Sequence, residues 1–149
     1  MKKLFLNFLM LPLFVLLAAV SCQDHYIPPT PPAIQTNDFQ FIPSRRSERY
    51  QVPVAFNCEF TSLGVGAADI TEYGVIYLTD YEGTPEADEL SVGGMGTKVP
   101  FSQSVELGVN KEQAAEVDSF YGIYYRAYAI STLSGVVYGE MKTWEEERD

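Results

Sequence analysis

The sequence predicts an all-β fold, an antiparallel β-sandwich of about seven strands over roughly 100 residues. Three observations predict it. Tyr50 to Phe60 alternates strictly, with Val52, Val54, Phe56, Cys58 and Phe60 between Pro53, Ala55, Asn57, Glu59 and Thr61, the period of a strand with one buried face. Ile70 to Thr79 and Tyr121 to Ile130 are rich in β-branched and aromatic residues and apolar on both faces, as central strands are. Turn signals containing Gly, Pro, Asn, Asp or Ser separate such runs along the chain. No internal repeat is visible.

The 149 residues leave room for one domain once the N-terminus is set aside. Lys2 and Lys3 precede an apolar run from Leu4 to Val20 that Asn7 and Pro12 interrupt. Its flanks and length are those of a signal peptide over residues 1–21 rather than of a spanning helix. The run closes on Leu17-Ala18-Ala19-Val20-Ser21-Cys22, which resembles the lipobox of bacterial lipoproteins. That resemblance implies lipidation of Cys22 and attachment to a membrane through its acyl chains, of which two suffice for a stable anchor. Cys58 would then be the one thiol left, so no intrachain disulfide is expected.

Two of the ten basic residues leave with the leader while all 20 acidic residues stay, so the mature chain carries a charge of −12. Such a charge opposes approach to nucleic acid or anionic lipid surfaces, and no nucleic-acid partner is expected. Residues 22–37 contain Ile27-Pro28-Pro29-Thr30-Pro31-Pro32, an extended polyproline-type tether. The sole histidine, His25, lies in it, which removes any His-based catalytic or metal constellation from the domain over 38–145.

Within that domain, Asp38 to Pro43 reads as an edge strand and Ser44 to Arg49 as a solvated turn. Tyr50 to Phe60 follows, with Pro53 marking an edge or bulge because it cannot donate to a ladder. After the Leu63 to Gly66 loop comes Ile70 to Thr79. The polar stretch Asp80 to Lys98 brings Asp80, Glu82, Glu86, Asp88 and Glu89 close in sequence, a composition that could serve Ca²⁺. Their spacing fits no EF-hand loop, and a solvated acidic loop is the plainer reading. Gly93 to Lys98 lacks the order of a phosphate loop and reads as a connection. Val99 to Leu107 alternates as another strand. Asn110 to Val117 combines good helix formers with an Asn cap, which predicts one short helix over 110–117. Tyr121 to Ile130 and Gly135 to Trp144 form a closing hairpin about the Ser131 to Gly135 turn, and an acidic tail over 146–149 ends the chain.

Ile70-Thr71-Glu72-Tyr73-Gly74-Val75, Tyr124-Tyr125-Arg126-Ala127-Tyr128-Ala129, Gly135, Tyr138-Gly139-Glu140 and Trp144 together resemble the fibronectin type III-like, immunoglobulin-like domains common in Bacteroidota lipoproteins. The resemblance covers roughly Asp38 to Glu145. It implies that Tyr50–Phe60 is strand B, Ile70–Thr79 strand C, Val99–Leu107 strand E, and the last two strands F and G. It also implies an outer-membrane, lipid-anchored protein. The sequence leaves cell surface and periplasmic face open, because Gln23-Asp24-His25 supplies one acid where surface-exported lipoproteins of this phylum carry several. Ile123 stands where the family type has a tyrosine, with Tyr121 as the substitute for a tyrosine corner.

Strand parity turns Ile123, Tyr125, Ala127 and Ala129 inward and Tyr124, Arg126, Tyr128 and Ile130 outward. A buried, inert Cys58 thiol is expected from the same alternation. Tyr124, Arg126 and Tyr128 therefore form the candidate interaction surface of a non-enzymatic binding or assembly module with a protein partner. The alternative is a carbohydrate-binding accessory lipoprotein of a polysaccharide-uptake system, with the same tyrosines stacking on sugar rings. No catalytic residue and no cofactor is assigned. Glu86 and Asp88 are the nearest approach to a hydrolytic pair, and they fall in a loop with nothing evident to raise one pKa.

Overall fold

The computed structural model describes residues 29–43, 51–118 and 120–146. The signal peptide, Cys22, the start of the tether, the Ser44 to Arg49 turn and the end of the acidic tail lie outside the described residues. Among the described residues eight strands form two antiparallel sheets: β1 (Ala33–Phe41), β2 (Gln51–Ser62), β3 (Ile70–Thr79), β4 (Thr97–Pro100), β5 (Lys111–Asp118), β6 (Gly122–Ser131), β7 (Gly135–Tyr138) and β8 (Lys142–Glu145). One sheet has the order β1-β2-β5 and the other β4-β3-β6-β7, with β8 continuing beside β6 after β7. The fold is an all-β antiparallel sandwich, with one 3-10 turn at Ala67–Asp69.

The sheets close on one apolar core. Val54, Phe56, Cys58 and Phe60 of β2 meet Tyr73 and Val75 of β3 and Ile123, Tyr125, Ala127 and Ala129 of β6, as both alternations require. Phe56 stacks on Tyr77 with centroids 5.4 Å apart, and Phe60 meets Tyr73 edge-on at 5.2 Å, so the inner faces interlock through rings. Burying each such side chain is worth about 1.5–3 kcal/mol gross, much of it offset by ordering the strands. Cys58 is fully buried, and burial pushes its thiol pKa up to about 12 against the opposing pull of Lys111. A chain lacking Cys22 should therefore resist a maleimide at about pH 8 while folded and react promptly in urea. Rapid labelling of the folded protein would place Cys58 outside the core.

Four expectations change. The first strand starts at Ala33 rather than Asp38: Ile34 and Thr36 face inward, Pro32 is buried, and the Gly64 loop presses on the Thr30–Pro32 backbone. Part of the stretch read as tether is thus fold. Val99 to Leu107 is not one strand. Pairing with β3 stops at Pro100, and the chain then crosses to the other sheet, held by the Tyr73 hydroxyl donating to the Gln103 carbonyl (2.9 Å). Lys111 to Asp118 is a strand rather than a helix, paired with β2 from Cys58↔Lys111 to Gln51↔Asp118. Its burial alternates, and the cross-strand partner outweighs the helix propensity of Glu, Gln and Ala. Gly135 to Trp144 is split into β7 and β8.

That split joins the two sheets. Between β7 and β8 the Gly139 N–H donates to the Ala127 carbonyl, while the Ala127 N–H goes to the buried Thr36 hydroxyl of β1 at 2.9 Å. A strand of one sheet thereby completes the ladder of the other.

The β6–β7 turn is closed by a carboxylate. Asp69 accepts from the Ser131 and Thr132 hydroxyls and from the Leu133 N–H at 3.0 Å. The Ser131 bond first, then that of Thr132, hold its pKa below the ordinary 3.8. A folded pKa below the unfolded one means the contribution is present above about pH 4 and lost as the pH falls through the folded value. Melting temperature should accordingly drop on acidification, and less steeply in Asp69→Asn than in the unaltered chain. Equal slopes in thermal melts at pH 7 and pH 3 would contradict this.

Candidate functional site

The outer face of the five-stranded sheet is not open. Residues 80–96 fold back over it and insert Leu90, fully buried, against Ile76 and Tyr128 to make a second small core. Leu78, Val92, Tyr124, Ile130, Tyr138 and Met141 pack around it. Of the residues proposed as an interaction surface, Tyr128 is 0% and Arg126 8% exposed, while Tyr124 is half-buried. Outward parity holds for all three, but a third layer covers the face.

Arg126 fastens this layer. Its Nε donates to the Leu90 carbonyl at 2.5 Å, a second guanidinium nitrogen donates to the Ala87 carbonyl, and the group sits 4.0 Å from the centroid of the Tyr138 ring. Burial lowers its pKa. The Tyr138 hydroxyl in turn accepts from the Val92 N–H at 2.9 Å. At the other border the Tyr128 hydroxyl donates to Glu72 (2.7 Å), which also pairs with Lys98 at 2.8 Å, and the Lys98 ammonium stands 5.7 Å from the Tyr128 ring centroid. Burial, then the Glu72 bond, raise the Tyr128 pKa.

The acidic loop is therefore an ordered cover. Glu82, Glu86 and Asp88 are exposed, and Glu89 accepts from the Tyr81 hydroxyl (2.6 Å) and the Glu86 N–H (2.7 Å). Among the described residues no three acidic, His or Cys side chains converge as metal ligands do, so the calcium reading of Asp80, Glu82, Glu86, Asp88 and Glu89 finds no geometric support.

Among the described residues a cleft of about 670 Å³ opens at one end of the sheet, where the end of β3, the start of β6 and the end of β8 meet. Its lining is Asp80, Tyr81 and Glu82 after β3, Tyr121, Gly122 and Tyr124 at the start of β6, and Glu145 and Glu146 at the end of β8. The backbone is pinned throughout. Asp80, in the left-handed region at φ 50°, gives its N–H to the Gly122 carbonyl and takes the N–H groups of Tyr121 (2.7 Å) and Gly122 (3.1 Å) on one carboxylate oxygen. Gly122 pairs with Glu145, and the Glu146 N–H donates to the Tyr121 carbonyl at 2.8 Å. The bond to Glu89 holds the Tyr81 ring and raises its pKa.

Of these residues, the sequence had singled out Tyr124 as an interface residue and Asp80 and Glu82 as calcium candidates. Tyr121, offered as a tyrosine corner, is 63% exposed at the cleft, and Ile123 fills the core behind it. Tyr81, Glu145 and Glu146 were passed over. Tyr81 lies far in sequence from the adjacent Glu145 and Glu146, and strand order alone brings them together. The chain matches no protein-family model, and no curated protein and no solved structure is similar to it at a significant level.

Proposed function

We propose that this chain is a lipid-anchored, non-enzymatic module of the cell envelope, outer-membrane attached through Cys22, that binds a protein partner at the tyrosine-and-carboxylate cleft. The observation that carries the reading is the position of the cleft. The chain enters the fold at Ala33, beside Ser62, and β1 runs toward the end where β3 finishes and β6 begins. Nine residues of strand, about 30 Å, thus separate the entry point from the cleft's end of the sandwich. A module tethered at its entry would present the cleft outward.

The sheet order supports an immunoglobulin-like, fibronectin type III-like topology: β1, β2 and β5 take the places of strands A, B and E, with β4, β3, β6 and β7/β8 opposite. In that assignment β5, not Val99–Leu107, is strand E. The fold carries no activity by itself, and the binding reading rests on the cleft.

A photo-crosslinking amino acid at Tyr121, illuminated in intact cells, should yield a discrete protein adduct that the same group at Glu112 on β5 does not. Adducts at Glu112 alone would refute a partner at the cleft. The glycan reading keeps one observation in its favour, the tyrosine rings beside carboxylates able to accept from sugar hydroxyls; binding on a glycan array that is lost in Tyr121→Ala would select it. Incorporation of labelled palmitate that disappears in Cys22→Ala tests the anchor.

A further inference from the structure

We propose that the end of the sandwich at which the chain enters rests on a lipid layer of no net charge, with the side chains of Val65, Leu107 and Leu133 seated among the headgroups. The inference rests on the Cys22 anchor of the reading above and adds a second contact with the same membrane. Strand pairing gathers four segments at that end. Ala33 lies opposite Ser62, Ile70 opposite Ser131, and Ser131 opposite Gly135, while Leu107 bridges to Phe60. The Gly64 loop also abuts the Thr30–Pro32 backbone.

Three loops there each hold one large apolar side chain in solvent: Val65 is 50%, Leu107 56% and Leu133 61% exposed. Single exposed aliphatics are ordinary on a protein surface, so it is charge that sets this end apart. Charged residues make up 20% of the sequence, yet the segments 29–33, 62–68, 107–110 and 131–135 contain none. The two acids that border these loops are engaged within the fold. Asp69 accepts from the Ser131 and Thr132 hydroxyls and the Leu133 N–H, and Glu106 pairs with Lys111 at 2.7 Å. The opposite end carries Asp80, Glu82, Glu145 and Glu146. Apolar tips on uncharged loops enter a headgroup layer without repulsion and without stripping water from an ion, which the acidic end could not do. Reach favours the same end. Cys22 and Pro29 are seven residues apart, a span of at most about 25 Å when fully extended. An acyl chain at Cys22 therefore holds these loops close to lipid, where a contact too weak to act alone is populated.

The test uses the full lipidated chain in phosphatidylcholine vesicles that carry a nitroxide on a fraction of the headgroups. A fluorophore is attached at Ala68→Cys, beside Val65, or at Glu82→Cys at the far end, both positions being exposed. Cys58 is buried and Cys22 acylated, so the dye goes to the new thiol. A nitroxide quenches only near contact. Quenching should be about threefold or more stronger at position 68 than at position 82, and Val65→Ser, Leu107→Ser and Leu133→Ser together should remove at least about half of it. Thermal melts establish that the triple variant stays folded. Equal quenching at the two positions, or quenching at position 68 that the triple variant leaves unchanged, would overturn the proposal. An unquenched label at position 68 whose emission depolarises as protein density rises would assign this end to a second copy of the chain, and overturns it equally. In both cases flotation of the protein with the vesicles leaves the anchor standing, whereas failure to float would remove the anchor and this contact together.

Discussion

Arg126→Ala should cost about 3 kcal/mol, because hydrogen bonds from a charged donor are worth about 1.5–3 kcal/mol each and the loss of the buried one leaves the Leu90 carbonyl without a partner. The bond to the Ala87 carbonyl and the contact with the Tyr138 ring go as well. The effect should be local in kind. The inner core of Phe56, Phe60, Val75 and Ile123 does not involve the guanidinium, so the sandwich should persist while residues 80–96 lift from it. A glutamate-specific protease should then cut at Glu86 or Glu89 in conditions where the unaltered chain resists. Urea unfolding should show the lowered midpoint. Arg126→Lys should recover little, since one ammonium cannot reproduce a planar fork that donates to two carbonyls and lies on a ring. Resistance to cleavage with an unchanged midpoint would show that Leu90 holds the cover unaided.

Gly139→Ala should be comparably damaging, and for a reason of space. A Cβ at Gly139 would lie 2.5 Å from the Thr36 Oγ1, 2.9 Å from the Thr36 N and 3.0 Å from the Ile34 carbonyl oxygen. Two of those atoms are backbone and cannot rotate aside, so β1 must withdraw from β6 and the Thr36 bond to the Ala127 N–H goes with it. Overpacking of this kind costs about 1–3 kcal/mol, and an orphaned buried N–H about 1–3 kcal/mol more where the bond breaks fully. Thr36→Val separates the two contributions, removing the acceptor at nearly constant volume. Chemical denaturation of both variants should rank Gly139→Ala as the more destabilised, and a neutral Gly139→Ala would show that β1 can shift freely.

Where the sequence carried a periodic signal through a strand with two partners, its reading transferred to the structure to within one or two residues at the ends. Ile70–Thr79 coincides with β3, and the inward set of β2 is the inward set read from its alternation. The errors fall where partners rather than pattern decide. Lys111–Asp118 has helix-forming composition, and its period of two, Lys111, Gln113, Ala115 and Val117 against Glu112, Ala114, Glu116 and Asp118, is visible in charge more than in hydrophobicity. The outward face of β6 shows the same limit. Parity told which way Tyr124, Arg126 and Tyr128 point, but not that Leu90, forty residues away at most, returns to cover them. A single apolar residue amid Asp88, Glu89 and Ser91 gives little periodic signal. The cleft was illegible for a related reason: its residues sit at the ends of three different strands, and only their adjacency in the sheet makes a site.

The stitch between β1 and β6 also bears on force. If the chain is held by lipid ahead of Ala33 and pulled by a partner at the cleft, the load runs lengthwise along β1, from its entry to the opposite end of the sandwich. The ladder bonds to β2 and the Thr36 bond to β6 then lie across the pull, and they must yield together rather than one after another. A strand drawn out end-on resists in the way a zip pulled sideways does not, so the joint between the two sheets sits where a tethered binder would be strained most.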